Sequence, residues 1–355
     1  EKLQVMKTAN NMIDRRGRPS PHFVNYFKIF ILNFDREYPI GGLDILLNSI
    51  DYLAGNRDIN FRETTRFIEL SMQIMNDRDL YNLANVNWKV IGDNISFDTI
   101  NRLPVLTCEN VDLNCFSNRD TLNISNTSGS YNLINLKWNG KKGKVTWEKA
   151  GLDPDEVYAD LNSYNIEMNR ARFSADSVRF NYKKYFDYPL YGYLEERARP
   201  INEPELALYP KFYSYQNKYI LPDLFENIEF TGGLSMQGAK LIGTGTEGNK
   251  ANLKVYENDT LRMNIYTENI LIREESMNSQ SVSVVLYLES DSVYHPDLQF
   301  SYMESNDLFT FNKGNNYTSG VPFKNTYHSV DMNFEAFSWA RGTGEIIIKP
   351  PIGRA

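Results

Sequence analysis

The hydrophobic period of this chain changes once, near residue 83, and that change limits the folds open to it. Before it, apolar residues recur every three to four positions, the spacing that lines one face of a helix. Leu3, Met6, Ala9 and Ile13 give a first helix, ended by RRGRPSP. Ser20 and Pro21 then read as the N-cap and first helical position of a second, whose apolar face is Phe23, Phe27, Phe30, Ile31 and Phe34. Leu43, Leu46, Leu47, Ile50 and Leu53 form a third, stopped by Gly55–Asn56. Phe67, Ile68, Leu70, Met72, Ile74 and Met75 form a fourth. Four amphipathic helices with short links predict a small bundle or two stacked helical hairpins over 1–82.

From 83 to 355 the period is two. Val282, Val284, Leu286 and Leu288 alternate with Ser283 and Tyr287, and Val330, Met332, Phe334 and Ala336 with Asp331, Asn333 and Glu335. The fold expected is α+β: an N-terminal helical bundle, then a long β-rich domain, mainly antiparallel or solenoid-like, with a subdivision allowed near 200–228. One helical interlude is expected at GLDPDEVYADL, where Asp153 suits an N-cap, Pro154 the first position and Glu156 the third. Its acidic residues lack the ligand spacing and central Gly of a calcium loop. Asp followed by Ser or Thr and an apolar residue recurs at Asp98, Asp120, Asp176, Asp259 and Asp291. The intervals follow no fixed repeat. We read each as a turn whose Asp bonds the backbone two residues on before a strand begins.

Gly243, Gly245 and Gly248 stand as G-x-G-x-x-G, the spacing of a dinucleotide-binding turn. That turn needs a helix after the glycines, whose N-terminal N–H groups hold the pyrophosphate. Here Ala251, Leu253 and Val255 alternate with Asn252, Lys254 and Tyr256, and Leu261, Met263 and Ile265 with their neighbours. That is strand, turn, strand. No dinucleotide is expected, the glycines are taken to supply positive φ, and Gly248→Val is expected to lower stability. GKKGK at 140–144 lacks the spacing and Ser/Thr of a phosphate loop.

Composition narrows function by exclusion. A net charge of −7 without a Lys/Arg run argues against nucleic acid, because phosphate binding draws on clustered cations; Arg15, Arg16 and Arg18 read as a solvated helix end. No apolar run reaches the 18 or so residues of a membrane helix. A chain beginning at Glu1 and ending in EIIIKPPIGRA reads as a piece of something longer. Cys108 and Cys115, seven apart, fall on opposite faces of a straight strand, and the commoner fate of such residues is burial as small hydrophobes. His22, His295 and His328 make no recognisable ligand or triad set. Glu195–Glu196 and Glu274–Glu275 point to opposite strand faces, which denies them the opposed geometry of a glycosidase. No catalytic, cofactor or metal residue is assigned.

Aromatic density supplies the one candidate surface. The stretch from Tyr182 to Phe230 is rich in Tyr and Pro. Tyr188, Tyr191, Tyr193, Tyr213 and Tyr215 are the candidate interaction or glycan platform, since tyrosines serve both protein interfaces and sugar stacking. Core anchoring of a loop-rich segment is the competing reading.

The segments GKKGKVTWEKAGLDPDEVYADL (140–161), FSADSVRFNYKKYFDYPLYGYLEERA (173–198), FTGGLSMQGAKLIGTG (230–245) and SVYHPDLQFSY (292–302) resemble a family of large, uncharacterised proteins of Bacteroidota. The likeness covers nearly the whole chain, which would make it a fragment of a longer member. It implies an exported, envelope-associated protein, periplasmic or on the outer-membrane surface, and carries over no catalytic residue. The leading expectation is a non-enzymatic envelope scaffold or interaction module with protein partners. The alternative is a glycan-binding or glycan-processing β-domain using the Tyr-rich segment 182–219. A third, a lipid-carrying β-groove, rests on strands apolar on both faces such as Val284-Val285-Leu286.

Overall fold

The computed structural model describes residues 2–16, 22–34, 40–55, 61–100, 103–288, 291–314, 320–326, 329–343 and 345–350. Strands hold 57% of the chain and helices 19%, so a mainly antiparallel β protein with N-terminal helices is what the period change produces. The chain divides into two compact units: Glu1–Phe180 with Tyr193–Pro210, and Asn181–Gly192 with Lys211–Ala355. The helices lie in the first unit together with the early strands, so the change of period and the division into units are different boundaries. Among the described residues no helix is long and apolar enough to cross a membrane, which says nothing of a β-barrel.

The helices are α1 (Lys2–Arg16), α2 (His22–Phe34), α3 (Leu43–Gly55) and α4 (Phe61–Asp77). RRGRPSP beyond Arg16, the Ser20–Pro21 cap and Asn56 lie outside the described residues. α3 and α4 bury the faces the sequence marks, with Leu46, Leu47, Ile50, Leu53, Phe67, Ile68, Leu70, Ile74 and Met75 in the core. α1 does not. Its buried side is Val5, Thr8 and Ala9, while Leu3 (85% exposed), Met6 and Ile13 face outward. The Tyr26 hydroxyl of α2, itself buried, donates to the Val5 carbonyl at 3.2 Å and fixes that side inward. α2 centres on Tyr26 and Ile29, and Ile31 is exposed.

The first unit continues with β1 (Asp79–Leu83), β2 (Val86–Ile91), β3 (Ile95–Ile100), β4 (Leu103–Ser117), β5 (Asp120–Asn132), β6 (Lys137–Thr146), β7 (Val157–Leu161), β8 (Tyr164–Glu167), β9 (Arg172–Tyr182) and β10 (Leu190–Arg197), the last two crossing between units. Every pairing with a described register is antiparallel. Solenoid coils would stack strands in parallel, so the solenoid-like alternative is not taken up here. β4 buries both cysteines, the fate expected of small hydrophobes, but it is not the straight strand that would set them on opposite faces. Its core positions are Leu106 and Cys108, then Val111, Leu113 and Cys115. The parity switches at Asn110, which takes φ 52° where the register with β5 shifts. That bulge turns both thiols to buried positions, where each is free. Burial pushes both thiol pKa values up to about 12.

GKKGK is strand β6, and its first glycine has a packing reason. A Cβ on Gly140 would lie 2.3 Å from the Tyr164 ring, so only glycine lets that ring cover the strand. The Tyr164 hydroxyl sits 2.6 Å from the Thr127 hydroxyl and accepts from Trp138 Nε1 at 3.4 Å. The helix expected at GLDPDEVYADL is absent. Asp153 does cap locally, accepting from the Asp155 N–H at 2.8 Å. The turn then stops, because Val157, Ala159 and Leu161 alternate into the core as β7 against β6.

The second unit holds β11 (Lys211–Ser214), β12 (Tyr219–Phe225), β13 (Ile228–Gln237), β14 (Lys240–Thr244), β15 (Ala251–Glu257), β16 (Thr260–Thr267), β17 (Asn269–Ile272), β18 (Ser276–Leu288), β19 (Asp291–Met303), β20 (Leu308–Asn312), β21 (Phe323–Asn325), β22 (Val330–Met332), β23 (Ala336–Ala340) and β24 (Ile346–Lys349). Its described pairings are antiparallel too. Two aromatic rows cross β19, β20 and β23 in register: Tyr302, Phe309, Trp339 and Phe300, Phe311, Phe337. Their centroids lie 4.6–5.4 Å apart, and all six side chains are buried. The single strand expected over 330–336 is two strands, β22 and β23. Phe334 lies between them and stacks on Phe323 at 3.8 Å.

The five Asp-Ser/Thr echoes are less uniform than expected. Asp120, Asp259 and Asp291 sit at strand starts, whereas Asp98 and Asp176 lie inside β3 and β9. Asp98, Asp176 and Asp291 accept from the very next N–H rather than from two residues on.

Candidate functional site

An open cleft of about 660 Å³ lies in the first unit. Its floor is the outward side of strands that are neighbours in the sheet. β6 and β8 pair Lys137 with Glu167 and Asn139 with Asn165, and β8 and β9 pair Asn165 with Ser174. In each strand the intervening residues, Trp138, Ile166 and Phe173, are buried, so the polar set faces the cleft by alternation alone. β9 adds Arg172, and β10 adds Tyr193, Glu195 and Arg197. Tyr209, outside the strands, completes the lining.

The charges in this cleft are unevenly committed. Arg170 Nε pairs with Glu167 at 2.9 Å. Lys137, Arg172 and Arg197 have no ion pair among the described residues, nor has Glu195. Three uncompensated cations against one carboxylate stand out on a chain of net charge −7.

Glu196 falls on the buried side of β10 by alternation, yet it also reaches the lining of the cleft. Lys149 Nζ donates to its Oε1, lies 3.6 Å from Asp120 Oδ2 and donates to the Arg197 carbonyl at 3.4 Å. The Arg197 N–H also donates to Oε1, at 3.0 Å. Asp120 is held by the Arg199 N–H at 2.6 Å. Glu196 Oε2 is buried with no partner among the described residues. Burial raises the Glu196 pKa to about 7 against the opposing pull of Lys149 and the Arg197 N–H, with Asp120 adding to the rise. A smaller recess of about 290 Å³, lined by Thr121, Asn123, Thr146 and Lys149, reaches Glu196 as well.

Of the five platform tyrosines, only Tyr193 is in this cleft. Tyr188, Tyr191, Tyr213 and Tyr215 belong to the second unit, where Tyr188, Tyr191 and Tyr215 are exposed. The Tyr215 N–H donates to the Tyr191 carbonyl at 3.0 Å, which aligns those two backbones. Much of the surrounding segment anchors the core, with Phe186, Phe212, Tyr219 and Phe225 buried. Lys137, Asn139, Asn165, Arg172 and Tyr209 were not singled out by sequence. Alternation marks the first four as outward-facing, but only the pairing of β6, β8 and β9 brings them together, and Tyr209 lies outside the strands where no period applies.

The second unit has a groove of about 560 Å³ lined by Lys240, Ile242, Lys250, Thr267, Asn269 and Ser279, among others. The glycine fingerprint borders it. Gly243 is within β14, and Thr246 and Asn249 exchange N–H···O bonds of 3.0 Å around Gly248 before β15 begins. Strand, turn, strand is the arrangement found. The reason for the glycines needs correction, since none of the three has positive φ. Close approach governs two of them. A Cβ on Gly243 would meet the Phe230 ring at 2.5 Å, and one on Gly245 the Ala251 nitrogen at 2.2 Å. Gly248 has nothing within 4 Å, so the expected cost of Gly248→Val has no basis in φ or packing.

His295 is buried between the Val321 carbonyl (3.1 Å) and the Asp297 N–H (3.1 Å), against the Phe323 ring. Burial holds its pKa below the ordinary value. The His22 side chain and all of His328 lie outside the described residues. Among the described residues no group of three or more His, Cys, Asp or Glu could hold a metal ion.

The fold therefore sets the class, a mainly antiparallel β protein with N-terminal helices. No protein-family model matches the chain, and no curated protein matches it.

Proposed function

We propose that this chain is a non-enzymatic recognition module whose first-unit cleft binds an oligosaccharide. The observation that carries the reading is the cleft lining: two tyrosines, the amides of Asn139 and Asn165, and three cations with no ion pair among the described residues. Aromatic faces take the apolar face of a sugar ring, and amides and guanidiniums supply the directed hydrogen bonds. Binding is favoured over hydrolysis because Glu167 is committed to Arg170 and Glu196 to Lys149. Among the described residues Glu195 is the one cleft carboxylate with no ion pair, and Glu196 is tied to Lys149 through Oε1. The resemblance to envelope-associated Bacteroidota proteins adds an exported, envelope setting to the proposal.

A glycan array tests it. Binding by the parent protein, lost on Tyr193→Ala with Tyr209→Ala and kept on Tyr191→Ala with Tyr215→Ala, is the expected result. No glycan bound by the parent would remove this reading.

A second reading, an envelope scaffold with protein partners, is favoured by α1 and α2, which leave Leu3, Met6, Val24 and Ile31 exposed. Co-purification from the native envelope tests that one, and a clean monomer in gentle extracts would count against it.

A further inference from the structure

The cleft gathers three cations, Lys137, Arg172 and Arg197, with no ion pair among the described residues, and they specify the ligand further. We propose that the cleft selects acidic saccharides, chains bearing carboxylates, over neutral ones of the same size; this rests on the oligosaccharide reading above.

The argument starts from charge bookkeeping. Elsewhere in the described structure several cations are matched to carboxylates at short range: Lys184 to Glu274 at 2.8 Å, Lys254 to Glu229 at 2.6 Å, Arg262 to Glu257 at 3.2 Å, and Arg341 to Asp307 at 2.6 Å. Lys137, Arg172 and Arg197 are gathered in one cleft and left unmatched. Like charges sharing one cleft repel, more strongly the closer they lie, unless an anion joins them, and an overall acidic chain raises the contrast with its surroundings. Guanidiniums bind carboxylates by paired parallel hydrogen bonds, a geometry that a neutral hydroxymethyl group cannot return. Glu195 sharpens the selection, because it takes hydroxyl donors and repels a carboxylate placed beside it. The expected ligand thus has its carboxylates over Arg172, Arg197 and Lys137 and a sugar face over Tyr193 or Tyr209.

A phosphate-bearing ligand is the nearest competitor. The floor of the cleft is made of strand faces presenting side chains, and the lining includes no helix N-terminus of the kind that cradles phosphate with backbone N–H groups. The amides of Asn139 and Asn165 and the two tyrosines are better matched to a hydroxyl-rich ring.

Isothermal titration with oligogalacturonate and with its fully methyl-esterified form decides the matter, since the two share every ring and differ in charge. The acidic form is expected to bind at least tenfold more tightly, with the advantage shrinking as salt rises. Arg172→Ala with Arg197→Ala should remove most of that advantage, and circular dichroism confirms that the double variant is folded. Rescue by Arg172→Lys with Arg197→Lys should be partial, because the charge returns without the fork. Equal binding of both forms would overturn the charge selection and leave the saccharide reading standing. Undiminished acidic preference in the double variant would place the binding elsewhere and overturn the inference. If inorganic phosphate competes at lower concentration than the oligosaccharide, or if neither sugar binds, both readings fall.

Discussion

Two open grooves of similar volume, one in each unit, differ in what their polar groups are already doing. In the second unit, the Thr267 hydroxyl donates to the Ser281 carbonyl at 2.8 Å, lies 3.0 Å from the Ser279 hydroxyl and accepts from the Asn269 N–H at 3.2 Å. Ser279 donates to the Asn269 carbonyl at 2.7 Å, and the Ser281 hydroxyl to Asp297 at 2.7 Å. These groups hold β16, β17 and β18 together. In the first unit three of the groove's cations, Lys137, Arg172 and Arg197, and the carboxylate of Glu195 have no ion pair among the described residues, whereas Arg170 pairs with Glu167. The second unit's groove also carries Lys240 and Lys250 without an ion pair among the described residues, so the contrast is in the hydroxyls, which a groove of that kind uses for strand packing. The other kind keeps its hydrogen-bonding capacity for a ligand, and maintaining it costs stability that nothing inside the protein returns.

Glu196 offers the largest way to break that comparison. Its folded-state pKa, about 7, is raised above the ordinary 4.5. A raised carboxyl contributes stability that is fully present below about pH 4.5 and is lost as pH rises through about 7. At roughly 1.4 kcal/mol per unit the loss is on the order of 3 kcal/mol. Glu196→Gln cannot ionise, so its stability relative to the parent should improve by about that amount between pH 4.5 and pH 8, read from urea denaturation at both. A parent whose stability rises across that window more steeply than the variant's would mean that Lys149 more than offsets burial, and the first-unit site would then be as self-satisfied as the second.

The next effect is on the second groove. Thr267→Val keeps shape and removes a hydroxyl that makes several buried hydrogen bonds. The loss should be about 1–3 kcal/mol, seen as a lower denaturant midpoint with an unchanged slope. A neutral result would show the groove's polar groups to be uncommitted after all.

These two sites show what was legible in the sequence and what was not. Period alone marked the helical faces of α3 and α4, the strand character after residue 83 and the strand-turn-strand around the glycines. Alternation also placed Glu195 and Glu196 on opposite faces. It failed where one residue changes parity, as Asn110 does in β4, and where a single capped turn at Asp153 meets a strand-forming run. It also failed on α1, since the buried side of a lone helix is chosen by its neighbour. The cleft could not be read at all: Lys137, Asn165 and Arg172 meet through strand pairing, and no spacing along the chain encodes that.

A smaller pair of effects tests whether the second groove's wall is architecture. Gly245→Ala puts a Cβ about 2.2 Å from the Ala251 nitrogen. The clash is with backbone, which yields poorly, so the loss should be about 1–3 kcal/mol. Gly248→Ala meets nothing within 4 Å and demands no left-handed φ. It should stabilise by about 0.5 kcal/mol through the unfolded chain's lost freedom. Thermal unfolding of the two variants side by side checks the contrast, and a Gly248→Ala loss equal to that of Gly245→Ala would restore a conformational role for the turn.

Arg172→Ala should have the smallest effect, and its smallness is the informative part. Arg172 is on the outward side of β9, exposed, next to the buried Phe173 that does the packing. Its guanidinium has no ion pair to lose among the described residues. Arg341 in the second unit is the counterexample: it donates to Asp307 at 2.6 Å and to the Glu226 carbonyl at 2.7 Å, and is largely buried. A surface cation without partners changes stability by no more than about 0.5 kcal/mol on removal. Losing one of three clustered cations also relieves repulsion, so the sign can be slightly favourable at low salt and should fade as salt rises. The measurement is the urea midpoint of Arg172→Ala at 20 mM-scale and 500 mM-scale salt, roughly one long and one short screening length. A loss above about 1 kcal/mol would show that the guanidinium holds the fold together, and the cleft's cations would then belong with those of the second unit.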